Sequence, residues 1–220
     1  MRNRPTQIPV LVVLALVGSV TASRAAAQEP SEQPITRYVI DVRGALPKVP
    51  GDDNLASPYG LTGRELPGFG LGADVGAHVY PLRWKSVTFG IGVSAVIGRA
   101  HAGAVKQNDG TTIGQDVTAR FSAVAPQISF NFGSAAGWSY LSGGLGTSRL
   151  EIVTPDTTGT EYPKRKTINY GGGGRWFVRD HLAVTFDIRF YAMNPIAATD
   201  TVKQSPRLRM LVISVGVSLR

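Results

Sequence analysis

Cysteine is absent from this chain of 220 residues, and its absence removes several kinds of chemistry. Without a thiol there is no disulfide framework, no thiolate metal site and no cysteine nucleophile. Many small exported proteins depend on disulfides, whereas a closed sheet does not, because each of its strands is hydrogen-bonded on both sides. The fold therefore has to be held together by packing and hydrogen bonds alone.

Long hydrophobic runs are also scarce, and the only one lies near the amino terminus. Residues 8–20 are apolar, Arg2 and Arg4 precede them, and three alanines at 25–27 fit a signal-peptidase site. This pattern predicts a cleaved secretory signal at 1–27, with an uncleaved amphipathic anchor as the alternative. No cysteine follows the run, so a lipoprotein anchor is excluded. No later run approaches the roughly 18 residues that a helical membrane span needs.

Charge is sparse as well, at 17% of the residues. Three of the 23 basic residues and none of the 15 acidic ones precede residue 28, so the exported part carries a basic excess of only five. Its one basic cluster is Lys164, Arg165 and Lys166. So small and dispersed an excess argues against binding to nucleic acid.

Alternation of apolar residues with polar or small ones is what the sequence has in abundance, and Gly68–Tyr80 shows it best. One parity holds Phe69, Leu71, Ala73, Val75, Ala77 and Val79, and the other holds Gly70, Gly72, Asp74, Gly76, His78 and Tyr80. A period of two over about a dozen residues predicts a strand with one apolar face. Several such strands behind a secretion signal predict a β-barrel in the outer membrane of a cell.

Eight segments are predicted to be strands: 37–46, 68–80, 86–98, 118–132, 138–150, 167–177, 181–191 and 208–219. Long and short connections alternate between them, as in barrels that place short turns in the periplasm and longer loops outside. We therefore predict an all-β fold, an eight-stranded antiparallel up-and-down transmembrane β-barrel with four long outer loops and three short periplasmic turns. Pro126 predicts a bulge in the fourth strand. The predicted organisation is a signal peptide at 1–27, a short lead at 28–34 and the outer-membrane barrel at 35–220.

The polar parity is predicted to face the barrel interior. A soluble, lipocalin-like barrel would carry the same alternation turned inside out. Here, however, the polar parity is rich in glycine and poor in the lysine and glutamate that coat soluble strands. Small residues suit the interior of an eight-stranded barrel, which is only wide enough for packed side chains. The predicted interior polar network is Asp41, Arg43, Asp74, His78, Gln127, Asn131, Arg175, Asp187 and Arg189.

Aromatic residues are few, but the three tryptophans each lie in or beside a predicted short turn. Indole and phenol rings favour the boundary between membrane and water. The predicted periplasmic aromatic girdle consists of Tyr38, Trp84, Trp138 and Trp176.

On these strands the chain resembles the small outer-membrane β-barrel family, the eight-stranded OmpA/OmpX-like barrels. The resemblance covers about 35–219 and rests on the strand pattern, on the segment Gly72–Pro81 and on the closing strand Leu211–Leu219. It implies insertion by the barrel-assembly machinery. Members of the family usually end the last strand with an aromatic residue, whereas this chain ends Ser218-Leu219-Arg220.

The function predicted from these features is structural or surface-interacting, with outer-membrane lipids and lipopolysaccharide as partners and an unknown extracellular ligand at the long loops. No catalytic residue, metal site or cofactor is predicted. Two alternatives stay open. One is a narrow porin-like channel for small solutes, with the interior charges as its selectivity element. The other is a lipid-modifying enzyme, for which His78 would supply the acid–base chemistry.

Three weaker signals have structural explanations that compete with functional ones. Asp52 and Asp53 in the first outer loop are a candidate cation site. Gly171–Gly174 suggests a phosphate loop, but no Lys-Ser/Thr follows it, and strand glycines more often permit close packing. The last signal is a group of basic residues at the outer rim. They are candidates for binding lipopolysaccharide phosphates, and the competing explanation is that their charged ends simply extend to the membrane–water interface: Lys164, Arg165, Lys166, Arg207 and Arg209.

Overall fold

The computed structural model describes residues 33–106, 112–157 and 159–220, and strands make up most of them. The predicted signal peptide lies outside the described residues. In chain order the elements are β1 (Tyr38–Lys48), α1 (Asp53–Ala56), a 3₁₀ turn (Ser57–Tyr59), β2 (Leu71–Trp84), β3 (Val87–Ala102), β4 (Val105–Lys106), β5 (Thr112–Ile113), β6 (Val117–Ser134), β7 (Gly137–Val153), β8 (Arg165–Arg179), β9 (Leu182–Met193) and β10 (Leu208–Leu219). No helix among the described residues is long and apolar enough to cross a membrane.

Eight of the strands close into one antiparallel barrel. Each barrel strand pairs with the next along the chain, and β1 completes the circle by pairing with both β2 and β10. The short strands β4 and β5 pair only with each other, as a hairpin in the second long connection. The predicted all-β, eight-stranded antiparallel barrel is confirmed. The connections also alternate as predicted, with two-residue turns at 85–86, 135–136 and 180–181 opposite four long loops.

Several strands run further toward the long loops than the alternation predicted. β10 has the predicted bounds, whereas β3 continues to Ala102 and β7 to Val153. In these extensions the ladder persists: Ala102 pairs with Val117, and Thr118 pairs with Val153. Backbone pairing therefore extends past the part of the strand that has a clean apolar face.

The bulge predicted at Pro126 is wrong. Pro126 pairs with Val93 of β3 in unbroken register. On the β7 side, pairing stops after Val124 and resumes at Ile128 in the same register. The strand thus accommodates a proline, which has no N–H to donate, by losing ladder contacts on one side and not by inserting a residue.

Gly144 allows β6 and β7 to stay close where their ladder contacts are lost near Pro126. A Cβ atom on Gly144 would lie 1.9 Å from the carbonyl oxygen of Pro126. Any side chain there would force the strands apart. The glycines of β7 therefore have a packing role in the wall.

The outer surface of the barrel is apolar on every strand. Leu71, Ile97 and Leu145 are 75%, 63% and 70% exposed, and residues of the same parity on the other strands are also exposed. A monomer in water rarely exposes such a contiguous apolar surface, whereas a barrel in lipid requires it. The inside-out, lipocalin-like alternative is therefore wrong, because the apolar parity faces outward.

Candidate functional site: the barrel interior

All nine residues of the predicted interior polar network are buried inside the barrel. They come from five strands, and each has the parity that points away from the apolar surface. Eight of them join one connected network. Asn131 stands apart, because its amide nitrogen donates to the carbonyl oxygen of Thr88 and to Ser129 Oγ instead.

The strongest pair in the network is Asp41 with Arg175. Arg175 Nε and Nη2 donate to the two carboxylate oxygens of Asp41 at 2.9 and 2.6 Å. Ser218 Oγ donates to the same carboxylate at 2.6 Å. The Arg175 guanidinium also lies 4.2 Å from the ring centre of Tyr140, within cation–π range. This bidentate geometry is the strong form of an arginine–carboxylate contact.

Arg43 connects that pair to the opposite wall. Its Nε lies 3.1 Å from Asp74 Oδ2, and its Nη1 donates to the Tyr140 hydroxyl at 3.0 Å. The hydroxyl in turn donates to Asp187 at 2.8 Å. Asp187 receives two further hydrogen bonds from Arg189, at 3.1 and 2.9 Å. Tyr140 is thus the link between two ion pairs on different sides of the barrel.

A chain of amides closes the network into a ring. Arg189 Nη1 and Gln127 Nε2 each donate to Asn169 Oδ1 at 3.2 Å. His78 Nε2 lies 3.3 Å from Gln127 Oε1, and His78 Nδ1 lies 3.8 Å from Asp41. The circuit therefore returns to Asp41 after crossing the whole lumen, and a layer of contacting polar side chains fills it.

The charges in this layer balance. Three carboxylates (Asp41, Asp74, Asp187) face three guanidiniums (Arg43, Arg175, Arg189), and every one is within ion-pairing distance of an opposite charge. An unpaired charge in so small a space would be costly. The layer is thus electrically neutral without a bound ion.

Apolar side chains close the lumen on the long-loop side of the polar layer. Leu55, Ala56, Leu61 and Leu66 of the first long loop are buried in a cluster with residues from the barrel wall. The wall contributes large side chains to this cluster: Phe121, Leu150, Ile152, Tyr191, Met193, Leu208 and Met210. The first loop therefore folds into the mouth of the barrel and plugs it.

Aromatic side chains close the short-turn end, and Trp138 is one of them. Its ring stacks on Phe177 with centroids 5.2 Å apart and meets Tyr80 edge-on at 5.9 Å. Trp138 is only 3% exposed, so its assignment to the outer girdle is wrong. The reason is parity, because residue 138 shares the inward parity of Ser142. Tyr38, Trp84 and Trp176 are 53%, 63% and 53% exposed and do lie on the outer face.

Four residues of the network were not predicted from the sequence: Tyr140, Ser142, Asn169 and Ser218. Ser142 belongs to it because its Oγ accepts a hydrogen bond from Arg189 Nη2 at 2.7 Å. Each has the inward parity of its strand, so the signal was present in the alternation. What the alternation did not contain is which inward residues meet across the lumen. Tyr140 and Arg43 are 97 positions apart, and only barrel closure brings them together.

The three weaker sequence signals have structural roles. Asp52 caps the short helix by accepting from the Asn54 N–H, and Asp53 accepts from the Gly63 N–H. No group of three or more metal-binding side chains occurs in the described ranges. A Cβ on Gly173 would lie 2.0 Å from the Phe186 carbonyl oxygen, so the glycine run permits close strand packing. Arg165 is buried and donates to Ser205 at 3.0 Å, which removes it from the basic group at the rim.

The long loops are tied to one another above the barrel. Lys203 Nζ of the fourth loop donates to the Pro58 carbonyl oxygen of the first at 2.5 Å, and its charge lies over the Tyr59 ring. The Glu161 N–H of the third loop donates to the Thr201 carbonyl oxygen at 2.9 Å. Within the first loop, the N–H and Oγ of Thr62 both donate to Glu65 and hold its pKa below the ordinary range. These contacts make a defined outer surface.

Comparison with known proteins identifies the fold. No known sequence family matches the chain, and no curated protein matches it. Among solved structures, Neisserial surface protein A is similar, with 13% identity over 83% of this chain and 96% of that chain and a TM-score of 0.51. Ail, the attachment invasion locus protein of Yersinia pestis, solved with the heparin analogue sucrose octasulfate, is also similar. It has 12% identity over 83% of this chain and 97% of that chain, with a TM-score of 0.50. The chain therefore has the fold of the small, eight-stranded outer-membrane β-barrel proteins.

Proposed function

We propose that this protein is a closed, non-conducting barrel of the outer membrane, with a structural or surface-interaction role and no catalysis. In this proposal a signal peptide at 1–27 directs export, and the barrel-assembly machinery inserts the chain through β10. The apolar outer face supports a lipid environment. The observation that carries the proposal is the filled lumen.

Three successive layers oppose conduction. A solute entering from the long loops meets the apolar plug of Leu55 and Leu61, then the neutral ring around Asp41 and Tyr140, then the aromatic cluster around Trp138. A hydrated ion would have to shed water in the apolar layer and separate the buried ion pairs. A selectivity filter instead binds ions at sites that they can leave.

The surface-interaction part of the proposal rests on the tied outer loops, since binding sites are commonly carried by loops on a rigid scaffold. Outside the 105–113 segment, the loops carry more carboxylates than cations. The carboxylates are Asp52, Asp53, Glu65, Asp116, Asp156, Glu161 and Asp200, and the cations are Arg64, Lys164, Lys203 and Arg207. Ail was solved with a sulfated heparin analogue, but an acidic loop surface disfavours such a polyanion. We therefore propose a neutral or basic partner.

Catalysis by His78 has little support from its contacts. Its two ring nitrogens face Asp41 and Gln127, and the described structure places no hydroxyl nucleophile in hydrogen-bond contact with it. The enzymatic alternative nevertheless has a direct test. Incubation of the folded protein with outer-membrane lipids is expected to give no new product, and a product that disappears in His78→Ala would contradict the proposal.

Single-channel recording tests the closed lumen. The folded protein in planar bilayers is expected to give no conductance steps under conditions in which a porin gives them. Regular conductance steps from the unmodified protein would overturn the proposal in favour of a narrow channel.

A further inference from the structure

A groove on the outside of the barrel brings three arginines together at the long-loop end. It spans β2, β3, β6 and β7 and encloses about 580 Å³. Its apolar floor is formed by Leu71 and Ile97, and its charged side is formed by Arg99, Arg120, Arg149 and Glu151. We call this feature the arginine groove.

The strand register places like charges directly against each other. Arg99 lies opposite Arg120, and Arg120 lies opposite Glu151 on the other side. Like charges directly opposite on neighbouring strands destabilise a sheet. Such an arrangement gains stability when an anion binds between the guanidiniums.

The protein supplies too little negative charge to satisfy this set. Glu151 is shared, with its carboxylate 3.7 Å from Arg120 and 3.8 Å from Arg149. Both distances are too long for good hydrogen bonds. The side chains of Arg120 and Arg149 are 57% and 42% exposed, so a ligand in the groove can reach their guanidiniums. The geometry thus presents donors for one more anion.

The height of the groove selects the source of that anion. Val87 lies at the level of Trp84, at the short-turn edge of the apolar surface. Arg99 is about twelve residues further along β3, which at ~3.3 Å per residue and a ~40° tilt places it ~30 Å higher. The apolar band of such barrels is ~25 Å tall, so the arginines lie just above it. The exposed floor residues Leu71 and Ile97 continue directly into the lipid-facing surface.

We propose that the arginine groove binds a phosphorylated glycolipid of the outer leaflet. Arg99, Arg120 and Arg149 hold the phosphate, and an acyl chain packs on Leu71 and Ile97. Guanidinium groups bind phosphate through paired hydrogen bonds, and the apolar floor distinguishes a lipid from free phosphate. The proposal depends on the loops-outward orientation proposed above.

The test compares two triple variants with equal loss of charge. Arg99→Gln/Arg120→Gln/Arg149→Gln removes the three guanidiniums of the groove, whereas Arg37→Gln/Arg83→Gln/Arg179→Gln removes three exposed cations at the short-turn end of the barrel. The probe is bisphosphorylated lipid A, titrated into the detergent-purified, folded protein and measured by native mass spectrometry. Each basic residue near the headgroups is worth about fivefold in binding, so the groove variant should bind about 100-fold more weakly. The control should lose less than about fivefold.

Two further arms separate the sources of phosphate. Dephosphorylated lipid A and inorganic phosphate should each bind the unmodified protein at least about tenfold more weakly than phosphorylated lipid A. Equal binding of either one, or equal losses in the two triple variants, would overturn the proposal. If the triple variant fails to fold, Arg149→Gln alone should still bind about fivefold more weakly, and unchanged binding would count against the groove. Conductance in planar bilayers would contradict the closed lumen, but it would not change the lipid-binding affinities that test the arginine groove.

Discussion

Replacing Asp41 by asparagine should be among the most damaging single changes in the barrel. The carboxylate is fully buried and accepts three hydrogen bonds of 2.6–2.9 Å from Arg175 and Ser218. In Asp41→Asn, the Arg175 guanidinium loses the one carboxylate that pairs with it in the described structure and keeps only its contacts with aromatic rings and an amide. Breaking a buried pair from one side costs about 3–5 kcal/mol, and we expect this loss in the free energy of unfolding.

The converse change, Arg175→Gln, should cost less. Asp41 would keep the Ser218 hydroxyl at 2.6 Å and Arg43 at 3.8 Å, so the charge stays partly compensated. The loss of hydrogen bonds to a charged group predicts about 1.5–3 kcal/mol. The double variant should cost less than the sum of the two single variants, because the second change removes a partner that is already unpaired.

Urea unfolding in lipid vesicles, followed by tryptophan fluorescence, measures all three variants on one scale. Asp180→Asn in an exposed turn makes the same chemical change away from the network and should cost less than ~0.5 kcal/mol. A cost below ~1 kcal/mol for Asp41→Asn, or a larger cost for Arg175→Gln than for Asp41→Asn, would refute the reasoning.

Three other predictions follow from the same structure. Gly144→Ala should destabilise the barrel by about 1–3 kcal/mol in urea unfolding because its Cβ would meet the Pro126 carbonyl oxygen, whereas Gly68→Ala, with open space around the new atom, should be nearly neutral. NMR titration should show a pKa for the Glu65 carboxyl below the ordinary glutamate range. The hydrogen bonds from Thr62 therefore stabilise the loop fully above the ordinary glutamate pKa, and this stabilisation is lost as the pH falls through the lowered pKa. Thr62→Ala removes the side-chain hydrogen bond and should bring the pKa of Glu65 part of the way back. Because the chain has no cysteine, single cysteines report the plug cleanly: a membrane-impermeant maleimide should label Ser57→Cys on intact cells and spare Ala56→Cys, and equal labelling would contradict a seated first loop.

The alternation of residues was sufficient to predict the wall of the barrel because the environment of a barrel strand changes with a period of two. The bounds of β10 and the inward placement of Asp41, Arg175 and Arg189 follow directly from parity. Trp138 was placed wrongly because its residue type was given more weight than its parity in the strand. Its position near a turn suggested an interface, whereas its inward parity indicated the lumen.

The alternation of residues could not predict the contacts across the lumen or the plug formed by the first loop, and the reasons differ. Which inward side chains meet depends on strand tilt and on the register at closure, and neither is encoded in local alternation. Leu55, Leu61 and Leu66 have no periodic spacing, so nothing local distinguishes a buried loop from an exposed one. Pro126 was misjudged because a lost ladder contact and a bulge have the same sequence signal.

The most direct test of the central claim, a closed barrel embedded in lipid, is the mobility of the outer-membrane fraction on SDS gels with and without boiling. A closed barrel with a filled lumen should stay folded in cold SDS and migrate differently from the boiled chain, and this form should be confined to the outer-membrane fraction. A soluble periplasmic product that migrates identically before and after boiling would contradict the account.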